Sequence, residues 1–173
     1  MNQNPYYTTL TTMTRSLNAL LEIVNKIPTF ATSKNMTEEE ALALRLALDM
    51  LPLKVQITIA CDNAKGFVVS MGGVENVIME DNETTCSQLT QRIQKTIDFV
   101  NSVDSASFDQ AHTRTKTFPW APGKFINADE YLTGFILPNF YFHMSMAYAI
   151  LRSNGMVLSK SDFLHQLNFV ESK

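Results

Sequence analysis

From Leu10 onward, apolar residues return every three or four positions, at Met13, Leu17, Leu20, Leu21, Val24 and Ile27, and Pro28 follows. That spacing turns one helical face inward, so a first helix is predicted over roughly 5–27 with the proline as its stop. A second stripe runs through Leu42, Leu46, Asp49, Leu53, Gln56, Ala60, Ala64 and Phe67. It opens on Thr37-Glu38-Glu39-Glu40, where Thr37 can accept from the third helical amide and Glu40 can reach back, a capping box. A straight helix from there to Met71 would be about 50 Å long, against a breadth of about 40 Å for a compact domain of this size. A kink is therefore expected at Pro52, which cannot donate to Leu48 O, with an end near Gly66 or Gly72-Gly73.

Residues 72–84 read as a crossover. Thr85 and Gln88 then offer a second capping box, and Cys86, Leu89, Ile93, Ile97 and Val100 carry a third helix over about 85–102. The rhythm changes at Thr113, Thr115 and Thr117, which alternate, and Pro122-Gly123 marks a turn, so a small β-hairpin is predicted there. Asn127 with Glu130 three residues on opens a fourth helix. Its inward set is predicted as Leu132, Phe135, Ile136, Asn139, Phe142, His143, Met146, Ala149 and Ile150, with a bend at Pro138 and a stop at Gly155. Ser161 is expected to cap a short tail helix carrying Phe163, Leu164 and Leu167 across the bundle as a lid. Four long amphipathic segments with modest connections make an all-α, four-helix bundle with a hairpin before the fourth helix.

The length of 173 residues, 45% of them hydrophobic, fits one domain with one core. A net charge of −3, with basic residues scattered along the chain, lacks the basic stripe that nucleic acid would need. No run reaches membrane-span length and the N-terminus lacks a signal pattern, so a cytoplasmic protein is expected. Cys61 and Cys86 then read as reduced, buried thiols. The sequons at Asn35 and Asn82 read as helix-start chemistry. His112 and His165 are expected in solvent. Phe135, Phe140, Tyr141, Phe142 and Tyr148 read as packing, and Trp120 as a cover on the bundle end or a pocket mouth. No dinucleotide fingerprint, P-loop, nucleophile elbow or HExxH occurs.

What remains is a set of polar residues on apolar stripes: Asp49 and Gln56 on the second helix, Asn139 and His143 on the fourth. A buried polar group without a partner costs roughly 1–3 kcal/mol, so these residues either satisfy one another or build something between the helices. Two readings stay open: a polar pocket lined by all four, or a metal site with His143 and Asp49 as ligands for zinc or another first-row divalent ion such as nickel.

The stretches "LALDMLPLKVQITIACDNAKG" and "LPNFYFHMSMAYAILRSNG", with the hairpin before "ADEYL" and the tail "KSDFL", resemble an uncharacterised domain-of-unknown-function family of the DinB/YfiT-like bundle superfamily. The likeness covers nearly the whole chain. It implies a single up-down-down-up bundle with a long crossover between the second and third helices. That superfamily includes metal-dependent thiol transferases and isomerases whose ion is held by one histidine of the second helix and an H-x3-H pair on the fourth. Setting "LRSNG" against the superfamily's "LRxxG" puts His143 on the second histidine of the pair and Asn139 on the first. The second helix has no histidine, so Asp49 or Gln56 would have to substitute.

The functional expectation is a small-molecule-binding bundle that has lost most of the metal set. The alternatives are a metal-dependent transferase or hydrolase, and a dimeric structural or interaction protein.

Overall fold

The computed structural model describes residues 4–165 and residue 171. The chain is mostly helical. Asn4 caps α1 (Pro5–Asn25) by accepting from Tyr6 N at 3.0 Å, with Pro5 in the first turn where its missing N–H costs nothing. The helix breaks at Lys26 and resumes as α2 (Ile27–Ser33). Pro28 therefore starts a helix instead of only ending one. Met13, Leu17, Leu20 and Val24 are buried as the stripe requires, and Leu21 is half-buried.

The Thr37–Glu40 capping box forms, but the helix it opens, α3 (Glu38–Ala43), is short. Residues 44–52 leave helical structure, and α4 begins only at Leu53 (Leu53–Phe67) with an extended Pro52 as its N-cap. The kinked long helix is thus replaced by two helices and a connection. The cause is local: the pyrrolidine ring disfavours helical backbone at Leu51, and proline is better tolerated at a helix start than inside one. Leu53 N donating to Leu44 O at 2.8 Å and Arg45 donating to Met50 O tie the connection to itself.

Past Phe67 the chain winds into a wider π-turn, Val68–Gly72, stopped by Gly73 at φ +66°, a conformation that favours glycine. The crossover follows. Thr85 and Gln88 form the second capping box, and α5 (Cys86–Asn101) buries Cys86, Leu89, Ile93, Ile97 and Val100. It also buries Arg92, which pins the crossover. Nη1 donates to Glu80 O at 3.0 Å and lies 2.9 Å from Glu83 and 2.8 Å from Asp81, while Nη2 reaches Asp62 of α4 at 2.9 Å. An open cavity of about 770 Å³ lies between the crossover and α5.

Two short strands, β1 (Thr115–Thr117) and β2 (Phe125–Asn127), pair antiparallel with Lys116 opposite Ile126. Asn127 then accepts from Glu130 N at 2.8 Å and opens a continuous helix built of α6 (Ala128–Glu130), a second π-turn (Tyr131–Ile136) and α7 (Leu137–Ser153). Pro138 lies within it, immediately after the widened turn, and has no amide to donate to Gly134 O. The buried series Ala128, Leu132, Ile136, Phe140 and Met144 keeps a four-residue step through that turn. Phe142, expected inside, is 50% exposed because Phe140, His143 and Met144 occupy the inner face.

α7 packs on α4, α4 on α5, and α5 on α1, so the apolar faces meet in one core. The tail helix α8 (Lys160–Leu164) is capped by Ser159 with Asp162, not by Ser161. It docks on α1 through Lys26–Asp162 at 2.6 Å and on α7 through Phe163 against Tyr148. Leu167 lies outside the described residues. Among the described residues no helix is long and apolar enough to cross a membrane.

Candidate functional site

The α4–α7 interface brings together four polar side chains in two pairs. Gln56, one turn into α4, is 1% exposed and donates from Nε2 to Leu51 O at 3.0 Å. With its nitrogen so committed, its Oε1 faces His143 Nδ1 at 2.7 Å. An acceptor opposite Nδ1 fixes the proton there and leaves the Nε2 lone pair free. Burial also lowers the His143 pKa from 6.5, favouring the neutral ring.

Seven residues beyond Gln56 on the same face, Asn63 accepts from Asn139 Nδ2 at 2.9 Å. Asn63 Nδ2 is buried without a partner among the described residues. Turning both amides over would exchange this orphan donor for an orphan acceptor without supplying what is missing. Leaving it so costs roughly 1–3 kcal/mol.

Asn139 and His143 therefore do not satisfy each other; each is paired across the interface to α4. Asp49 is not part of the cluster. It lies exposed on the 44–52 connection, because the helix that would have carried it inward does not form there. Asn63 was missed by the sequence reading, which followed Ala60 and Ala64 on this face. Its signal was the seven-residue spacing Gln56, Asn63, Ser70, a polar line down one side of α4. His112 is exposed, and His165 is half-buried, 3.6 Å from Glu22. Trp120 is 73% exposed and stacks on Phe118.

As a metal centre this donor set is poor: one imidazole and three neutral amides, where zinc takes imidazole, thiolate and carboxylate. Among the described residues no three histidine, cysteine, aspartate or glutamate side chains are grouped to hold an ion. What the cluster offers is a hydrogen-bond acceptor at His143 Nε2 and an unused donor at Asn63 Nδ2.

Residues 6–164 match the family described as Domain of unknown function (DUF1993). The chain belongs to this family. No curated protein matches it. Among solved structures, this DUF1993 protein is similar to a DinB family member from Shewanella denitrificans, with 32% identity and a TM-score of 0.91 over 96% of this chain and 95% of that one. A DinB-like helical fold thus accommodates a DUF1993 sequence whose α4–α7 interface carries Gln56, Asn63, Asn139 and His143.

Proposed function

We propose that this DUF1993 protein is a cytoplasmic small-molecule-binding bundle of the up-down-down-up type, with its ligand held at the Gln56–His143 and Asn63–Asn139 cluster. The observation that carries the reading is the buried Asn63 Nδ2, without a partner among the described residues, on the same α4–α7 interface as the Gln56–His143 pair. A buried donor without a partner is a standing cost that a ligand oxygen would remove. The ligand is accordingly a small neutral molecule that presents an acceptor to Asn63 and a hydroxyl or N–H to His143 Nε2. Two reduced, buried thiols fit the same compartment.

The test is to denature protein purified without an affinity tag and identify what it releases by mass spectrometry, alongside its metal content. Wild-type protein should release a polar molecule that the Asn63→Leu variant lacks, with divalent metal well below one per chain. A stoichiometric divalent ion lost on His143→Leu would replace this reading with the metal-dependent transferase or hydrolase.

One observation favours a second reading, self-association. The 44–52 connection exposes Leu46 at 43%, Leu48 at 98% and Leu51 at 46%. Light scattering should then show a dimer that Leu48→Lys converts to monomer.

A further inference from the structure

Lys116, at the centre of β1, turns its ammonium into the helical body. Nζ donates to Ser70 Oγ at 3.0 Å and stands 5.6 Å from the centroid of the Tyr131 ring. Ser70 belongs to the π-turn that ends α4, and Tyr131 opens the π-turn that precedes α7. Such turns often mark functional positions, and here two of them meet at one lysine.

The charge balance is unusual. Among the described residues no carboxylate lies within ion-pair distance of Lys116, whereas the buried Arg92 gathers Asp62, Asp81 and Glu83. Asp129, in the helical turn that follows β2, accepts the Tyr6 hydroxyl at 2.6 Å. Burial lowers the Lys116 pKa with no opposing acidic neighbour. A half-buried ammonium served only by a hydroxyl and a ring face carries a desolvation cost that a carboxylate would offset.

Aromatic surface is provided beside it. Phe118 lies 6.4 Å from Tyr131, 4.8 Å from Phe135 and 4.8 Å from Trp120, and Trp120 shows most of its surface to solvent. The Ser70 hydroxyl accepts from Lys116 and lies within hydrogen-bond reach of the Tyr131 hydroxyl, and its rotatable hydrogen can turn from there to a ligand oxygen.

We propose that the Ser70–Lys116–Tyr131 cluster, with Phe118 and Trp120, is a second ligand site that takes a planar aromatic carboxylate. The carboxylate supplies the counter-ion that Lys116 lacks and accepts from Ser70, while the ring stacks on the Phe118–Trp120 pair. Tyr131 and His143 are twelve residues apart on one helix, about 18 Å, so the inference stands independently of the cluster described above.

Trp120 is the single tryptophan and reports on the site directly. The intact protein is titrated with benzoate, followed by Trp120 fluorescence and by saturation-transfer NMR, with benzamide and acetate as the comparison ligands. Benzoate should give a saturable response. Benzamide, which keeps the ring but not the charge, should bind about tenfold more weakly or worse, as should acetate. Lys116→Met should weaken benzoate by a similar factor, and Ser70→Ala by less, with helical circular dichroism retained in both. No saturable response to benzoate, equal affinity for benzamide, or unchanged affinity in folded Lys116→Met would each overturn the assignment. The benzoate–benzamide comparison on wild-type protein decides the matter even if the variants fail to fold.

Discussion

Replacing Gln56 and His143 singly and together with leucine tests whether the buried polar pairs act as the geometry says. His143→Leu strands Gln56 Oε1 in a residue that is 1% exposed, at a cost of roughly 1–3 kcal/mol. Gln56→Leu strands His143 Nδ1–H at a similar cost and also removes the bond to Leu51 O, worth about 1 kcal/mol. In the double variant neither group is stranded, and only the Leu51 contribution stays lost. The two singles therefore overstate the double by both stranding costs, roughly 2–6 kcal/mol, and this difference is the coupling energy. The sequence alone suggests coupling between Asn139 and His143. Their separate partners on α4 predict instead near-additivity for that pair, within about 0.5 kcal/mol. Urea denaturation followed by far-UV circular dichroism supplies all the free energies. Additive effects for Gln56 and His143, or a larger coupling between Asn139 and His143, would refute the pairing.

Three further outcomes follow from other parts of the molecule. Burial lowers the His143 pKa, so the unfolded chain takes up the proton first. Wild-type stability should fall relative to His143→Leu as pH drops below about 6.5, and the difference should level off below the folded pKa, read from urea midpoints across pH. Arg92→Met removes the guanidinium that holds Glu83, whose side chain is 9% exposed. The loss should be about 3 kcal/mol, with little from the water-screened Asp62 and Asp81, and limited proteolysis should cut faster within residues 74–84. Burial pushes the Cys61 and Cys86 thiols up to about 12, so a disulfide reagent should modify neither at neutral pH until denaturant is added.

Helix starts were legible because their signals are local. The boxes at Thr37–Glu40 and Thr85–Gln88 and the Asn127 cap are set by residues within one turn of each other. The 44–52 connection was not, since Leu42, Leu46, Asp49 and Leu53 keep helical spacing whether or not the backbone follows it. The restriction that Pro52 places on Leu51 was the stronger signal and outweighed the periodicity. That misreading moved Asp49 to the core, while Gln56, on the far side of the proline, kept its phase. Asn63 was hidden for a different reason: it lies beside Ala64, and the small apolar residue matched a three-and-four stripe better than the asparagine did. The Lys116 cluster could not have been read from spacing at all, because a strand, the end of one helix and the start of another supply it.

The two π-turns bear on how this chain can change length. Each holds roughly one residue more than an α-turn over the same rise, so it is a place where the helix has already absorbed an insertion. Removing one residue within Tyr131–Ile136 tightens the turn to α geometry and leaves Leu137–Ser153 facing α4. The same deletion two turns later, inside α7, rotates everything beyond it by about 100° and carries the remaining core residues off their face. Length variation among relatives should therefore gather at these turns, and Gln56 and His143 can stay opposite each other while the helix ends beyond them grow or shrink.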